Sequence, residues 1–178
     1  ISNGTCLVID QFYGTGFSQI PKHISFTGAY WYQFWNKTDY ALIAYSVQHL
    51  LNFVQSLNEW LKVFEGYAQN TVLNALIKPI KQGIENLDCL HINRNQLKND
   101  PQAVLDLGYF FYYQYKAQIK NLQADCYVLD AYYSMASAIQ AYQFIFPEWV
   151  DQNSPMIEFE QAVHPLVTNA VGNDLSLT

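Results

Sequence analysis

One stretch limits the folds open to this chain more than any other. Ile43, Val47, Leu50, Val54, Leu57, Leu61 and Phe64 follow one another at alternating intervals of four and three residues. A strand would scatter these side chains over both faces; an α-helix places them in one line. The spacing predicts an a/d seam sustained for about three heptads. Thr38 reads as the N-cap, and Asp39 falls in the first turn, where the helix dipole favours an anion. Gly66 is the natural stop. A helix of about 27 residues at 1.5 Å each is a rod of roughly 40 Å. That length suits a bundle or a lever. Leu42, Leu51, Phe53 and Trp60 widen the apolar surface beyond the seam, so the helix is expected to pack against more than one neighbour.

The flanking segments are mostly helical in pattern. Residues 5–13 (TCLVIDQFY) fit a short helix or a strand, ended by Gly14 and Gly16. Pro21 disfavours helix at Ile20, and the aromatic-rich stretch 23–35 is read as helix. Thr71 is expected to cap a helix carrying Val72, Leu73, Leu76 and Ile77, with a kink or restart at Pro79. Ile80, Ile84, Leu87 and Leu90 continue that stripe to about His91. Residues 93–100 (NRNQLKND) form a polar connection. Asp100 caps the next helix with Pro101 at its first position, where a missing N–H costs nothing. Its stripe is Val104, Leu107, Phe111, Tyr115, Ile119 and Leu122. Asp125 is expected to open a further helix with Val128, Tyr132, Met135, Ile139 and Tyr142, ended by Pro147. The small residues Ala131, Ser134, Ala138 and Ala141 would allow close helix approach. Met156 to Glu160 and Leu175 to Thr178 alternate in period two and read as strands. The fold class is therefore mainly α, a helical bundle with a long lever helix and short terminal β-strands.

Composition narrows the function. The 178 residues are enough for one domain, which at this size buries roughly 70% of its unfolded surface without staples. The formal net charge is −6, a poor starting point for gripping phosphates. DNA contact by this chain is expected to be weak or absent. Cys6, Cys89 and Cys126 are odd in number and far apart, against a disulfide framework and in favour of a reducing compartment. No apolar run reaches the length of a membrane span.

Local motifs offer little chemistry. YGTGFSQ lacks the third glycine and the context of a dinucleotide fingerprint, and there is no GxxxxGK[ST] phosphate loop. Cys89 and His91 lack a second pair at zinc spacing. Glu158, Glu160 and His164 make a loose acid–histidine group best read as solvated. Tyr109, Phe110, Phe111, Tyr112, Tyr113 and Tyr115 splay around a helix, so they predict packing on two sides instead of a base-stacking platform. Asn3 and Asn36 begin glycosylation triplets of the kind that arise by chance. No nucleophile is paired with a base at readable spacing, and no catalytic residue or metal ligand is assigned.

The last third carries a resemblance. A helix from Ala124 to Tyr142 leads to Phe146-Pro147-Glu148, then His164-Pro165-Leu166-Val167, then Asn173-Asp174-Leu175-Ser176-Leu177. This order resembles the MutS family of DNA mismatch-repair ATPases, most of all a shorter MutS-related bacterial branch. There the core domain hands over to the ATPase domain. More diffusely, Ile20-Pro21-Lys22 and Asp39-Tyr40-Ala41-Leu42 with the long helix resemble the branch's core and lever helices. The resemblance implies a helical core/lever domain over 1–150 and a connection into an ATPase domain over 151–178, with the phosphate loop beyond Thr178. It implies that His164, Pro165 and Asn173 lie near the adenine side of a nucleotide. Ala170 stands where many relatives place an aromatic residue that stacks on adenine.

The expected function is thus to transmit conformational change between an ATPase domain and DNA or partner engagement, without catalysis in this fragment. The fragment itself needs no cofactor; ATP and Mg2+ are expected for the full-length protein. Its partners would be its own ATPase domain, DNA through the whole protein, and a second copy in a homodimer, with no membrane. The expected location is the bacterial cytoplasm. The alternative is a stand-alone helical module that binds a ligand or protein; a secreted glycoprotein domain is a third class.

Overall fold

The computed structural model is mainly helical, 67% helix, with two short antiparallel strands at the C-terminal end. It describes residues 3–17, 19–64, 66, 69–85, 87–151, 154–164 and 166–177. Its contacts divide the chain into two units, Ile1–Leu129 and Asp130–Thr178.

The first unit is a helical bundle built around the seam. The helices α1 (Asn3–Gly14), α2 (Phe26–Trp35), α3 (Lys37–Phe64), α4 (Thr71–Ile84), α5 (Arg94–Leu97) and α6 (Pro101–Tyr109) follow in order. The 28 residues of α3 span roughly 42 Å, and α1, α2, α4 and α6 all pack against it. Ile43, Val47, Leu50, Val54 and Leu57 are fully buried, Leu61 nearly so, and Phe64 packs on the edge of the same cluster. Leu51 and Phe53 are buried too, which gives α3 the second apolar face that lets it serve several neighbours. Two single turns join α4 to α6: a 3-10 turn at Asp88–His91 and the one turn of α5.

Helix ends follow cap chemistry, with shifts of a residue or so. Helix α3 starts at Lys37, and the Tyr40 N–H donates to the Asn36 carbonyl at 2.8 Å. Thr38 therefore lies inside the first turn and is not the cap. Likewise Asn70, not Thr71, caps α4, its side chain accepting from the Leu73 N–H at 3.0 Å. The aromatic stretch begins its helix only at Phe26, capped by Ser25 Oγ, which accepts from the Gly28 N–H at 3.2 Å. Pro79 sits inside α4 without ending it. Asp100 behaves as expected: its carboxylate accepts from the Ala103 N–H at 2.9 Å, and Pro101 occupies the first turn.

A larger correction follows Tyr109. Residues Phe110–Gln114 form a π-turn, and the Tyr115 N–H donates to the Phe110 carbonyl at 2.9 Å. From there α7 runs unbroken over Lys116–Tyr142. Asp125 therefore opens nothing; it lies mid-helix. The π-turn widens the helix by one residue and lets its aromatic side chains serve different neighbours. Phe111 is fully buried, and its carbonyl accepts from the Tyr13 hydroxyl at 3.1 Å. Tyr112 donates to the Thr15 carbonyl at 2.8 Å and Tyr115 to the Gly83 carbonyl. Lys116 places its ammonium 5.3 Å from the Tyr13 ring centre and 5.6 Å from that of Tyr112. The run Tyr109–Tyr115 thus packs and does not form a platform.

Burial pushes the Cys126 thiol up to about 12, with the neighbouring Cys6 thiol and Asp125 carboxylate adding to the effect. Burial also raises the Tyr13 and Tyr115 hydroxyls. An acid whose folded pKa is raised stabilises the fold fully below its unfolded pKa and loses that contribution as pH rises towards the folded value. The melting temperature is therefore expected to hold from pH 7 to about 9 and to fall above it. At pH 8, Cys126 should react with iodoacetamide roughly tens of times more slowly than an ordinary thiol, because the thiolate is the nucleophile and its greater basicity recovers only part of the lost fraction. Peptide mapping of the alkylated chain checks this; labelling at the rate of free cysteine would refute the burial.

The second unit begins within α7. Val128, at the division, and Tyr132, Met135 and Tyr142 are exposed, so the stripe expected to pack there is uncovered, as are Ala131, Ser134 and Ala141. The helix ends at Tyr142, well before Pro147. Gln143 turns left-handed (φ 55°) and the Phe144 N–H reaches back to the Ile139 carbonyl at 3.2 Å, the 6→1 bond of a Schellman ending. A hairpin follows: β1 (Ile157–Ala162) pairs antiparallel with β2 (Asn173–Leu177). Ile157 faces Leu177 and Phe159 faces Leu175. Thr178 and Pro165, both named in the expectations, lie outside the described residues.

No helix among the described residues is long and apolar enough to cross a membrane.

Candidate functional site

The loop end of the hairpin holds His164, Ala170 and Asn173, three of the residues named from the resemblance. The register slips between Phe159 and Ala162, and Ala162 pairs with Asn173. Two unpaired positions against one mark a β-bulge, which bends a strand and re-aims its side chains. Gln161 carries the bulge in the left-handed region (φ 53°), and its N–H donates to the Asp174 carboxylate at 2.7 Å. Gly172 closes against it: a Cβ there would stand 2.5 Å from Gln161 Oε1 and 3.0 Å from its Cα. Only glycine allows that approach without displacement. The Asn173 side chain donates to the Val171 carbonyl at 3.1 Å and steadies the start of β2.

His164 lies just past β1. Its Nδ1 accepts from the Leu166 N–H at 3.2 Å and its carbonyl accepts from the Val167 N–H at 3.1 Å. Nδ1 being an acceptor, a neutral ring carries its proton on Nε2. Tyr142, Phe144, Val163, His164, Leu166, Val167, Thr168 and Ala170 line a cavity of about 360 Å³. Tyr142 and Phe144 stack with ring centres 5.4 Å apart and planes 22° from parallel. So His164 and Ala170 share a cavity, and Asn173 stands in β2 beyond its loop. The seam residues belong to the other unit and are structural.

The arrangement offers flat aromatic surface, one imidazole and the hydroxyls of Tyr142 and Thr168, enough to hold a planar, largely apolar group. Its lining carries no lysine or arginine among the described residues, so it does not fit a polyphosphate or a phosphate-bound Mg2+. The aromatic pair went unread in the sequence because it depends on Gln143 adopting a backbone conformation that non-glycine residues seldom take. Asp174 was read only as part of a motif; its role is to fill the hydrogen bond opened by the bulge. Among the described residues no three His, Cys, Asp or Glu side chains gather as metal ligands would.

Comparison with protein-family models, with curated proteins and with solved structures finds no match to the chain.

Proposed function

We propose that this chain is the core/lever portion of a MutS-related DNA mismatch-repair ATPase, coupling the nucleotide state of an ATPase domain to DNA or partner engagement, with no catalysis of its own. The observation that supports this most is the bare hairpin. Ile157, Phe159, Leu175 and Leu177 share one face and are each about half exposed (47–53%). A lone two-stranded ribbon is marginal in water, and its open edges invite further strands. An apolar face on such a ribbon suits a larger sheet, and the ATPase domain would supply one.

In this reading the cavity beside His164 takes the base side of a nucleotide. Tyr142 and Phe144 offer the ring surface that Ala170 lacks. ATP phosphates and Mg2+ would be held by a phosphate loop of the ATPase domain. DNA would be held by the whole protein, as a monomer or homodimer in the bacterial cytoplasm.

The reading is tested by sequencing the gene downstream of the codon for Thr178 and assaying its full product for ATP hydrolysis with and without DNA. A phosphate loop and DNA-stimulated hydrolysis are expected, with no turnover by the 178-residue chain alone. A stop codon after Thr178, or a full product that neither binds nor hydrolyses ATP, would overturn it. That outcome would leave the second reading, a helical binding module. The exposed ring face of α2 favours that alternative: Phe26, Tyr30, Trp31, Phe34 and Trp35 all lie uncovered.

A further inference from the structure

The outer side of α2 is bare, and its chemistry selects what covers it. The helix packs against α3 and α6. At about 100° per residue, Phe26, Tyr30 and Phe34 form one row along the outer side, and Trp31 and Trp35 form the next. These five side chains are 45–73% exposed. On the inner side Ala29 is fully buried, and the Tyr32 hydroxyl donates to the Gln19 carbonyl at 3.2 Å. The inner side thus fixes the helix, and the outer rings add nothing to this unit's core.

Those rings hold one another in place. Phe26 meets Tyr30 edge-on with centres 4.9 Å apart, and Phe34 meets Trp31 at 6.4 Å and Trp35 at 5.4 Å, again edge-on. The Lys37 ammonium lies 5.4 Å from the Phe34 ring centre. Side chains that are already ordered lose little freedom when a partner docks, and Trp and Tyr are the residues on which binding energy concentrates.

Area, charge and ring geometry favour a second copy as that partner. An aromatic side chain presents about 150–250 Å², so five rings at these exposures offer roughly 600 Å². Two such faces together would bury roughly 1,200 Å², above the ~1,000 Å² that a specific interface needs. Helix α2 carries no charged residue. Across a two-fold axis a surface meets itself, so a charge near the axis would face a like charge; here none does. Edge-on rings expose both electropositive edges and electronegative faces, so such a cluster is complementary to its own kind. A lipid-binding helix instead carries a Lys- and Arg-rich polar face beside its apolar one, and the second face of α2 is packed in protein.

We propose that two copies of this chain form a two-fold dimer through α2, the ring face of one copy packing against the same face of the other. The contact lies in the first unit and does not depend on the ATPase reading.

The test is sedimentation velocity of the 178-residue chain from about 1 to about 200 μM, a range that brackets the micromolar affinity of a small interface. A reversible monomer–dimer equilibrium is expected. Trp31→Ala and Trp35→Ala replace exposed side chains with the best helix former, so the circular dichroism spectrum should stay unchanged. Truncating a central aromatic weakens a contact about thirtyfold, and two-fold symmetry applies the loss twice. Each variant should therefore remain monomeric throughout. Trp149→Ala, at a 97% exposed position of the second unit, should dimerise as the parent does. A parent that is monomeric at the highest concentration, or α2 variants that dimerise like the parent, would overturn the proposal. Loss of the dimer in Phe159→Ala but not in Trp31→Ala would also overturn it, because the hairpin face would then be the contact. A monomeric chain that floats with phosphatidylcholine vesicles would overturn it in favour of a lipid surface.

Discussion

Leu57→Ala is expected to destabilise the first unit by about 2–5 kcal/mol, the range for truncating a fully buried leucine. Leu57 sits in the middle of the seam with no exposed surface. Its neighbours along the line, Val54 and Leu61, are held by α3 itself and by the helices around it, so the space left behind cannot simply collapse. The cost therefore has two parts: lost transfer of the removed carbons and an unfilled cavity. For a domain of this size each kcal/mol lowers the melting temperature by roughly 2–4 °C. Glu59→Ala on the opposite, solvated face is the control. Its ion pair with Lys62 at 2.8 Å joins two exposed side chains, and such pairs contribute about 0–1 kcal/mol. Thermal melts of the two variants beside the parent decide the matter. Equal melting temperatures for Leu57→Ala and the parent would mean that the seam is not the core.

The seam was legible because seven-residue spacing has one helical solution, and because nothing within it interrupts the pattern. The Asp100–Pro101 start was legible for a similar reason: cap and first-turn proline agree. Thr38 and Thr71 misled because an asparagine that can start a helix equally well stands just before each, Asn36 two residues ahead of Thr38 and Asn70 directly ahead of Thr71, and sequence spacing does not say which of two near neighbours takes the cap position. Asp125 misled for a different reason. A good cap residue is only a start signal where the preceding helix has ended, and Ile119 and Leu122 carry α7 straight through it. The stripe from Val128 to Tyr142 has helical spacing and is helical, yet spacing alone does not tell a face covered by this chain from one left bare. At the candidate site, the alternating patterns of 156–160 and 175–178 suggested two strands, but not the pairing between them that brings His164 and Asn173 to the same end of the hairpin. The cavity itself was hidden, since Tyr142 and Phe144 meet only through the turn at Gln143.

Gly108→Val should cost about 3 kcal/mol or more, at the upper end of overpacking effects, although the position is helical and glycine is a poor helix former. Gly108 is buried where α6 crosses α3. A Cβ placed on it would stand 2.6 Å from Ile43 Cγ2, with Ile20 and Val47 methyls at 3.7 and 3.8 Å. Ile43 Cγ2 branches directly from a Cβ on a long packed helix, and β-branched side chains in helices hold essentially one rotamer. It cannot swing aside, so the two helices must part. Gly83→Ala is the instructive contrast. There the new Cβ would meet Leu122 Cδ2 at 2.8 Å, the far end of a side chain with two torsions to adjust. The alanine also gains about 1 kcal/mol of helix propensity, so that change should be near neutral. Removing the obstacle separates contact from backbone effects. In an Ile43→Ala background, Gly108→Val should cost less than in the parent, a positive coupling of the kind expected for residues in contact. A double-mutant cycle by chemical denaturation measures it. Additive costs would place the two helices farther apart than the 2.6 Å approach requires, and the tight crossing that seats α6 on the seam would then be wrong.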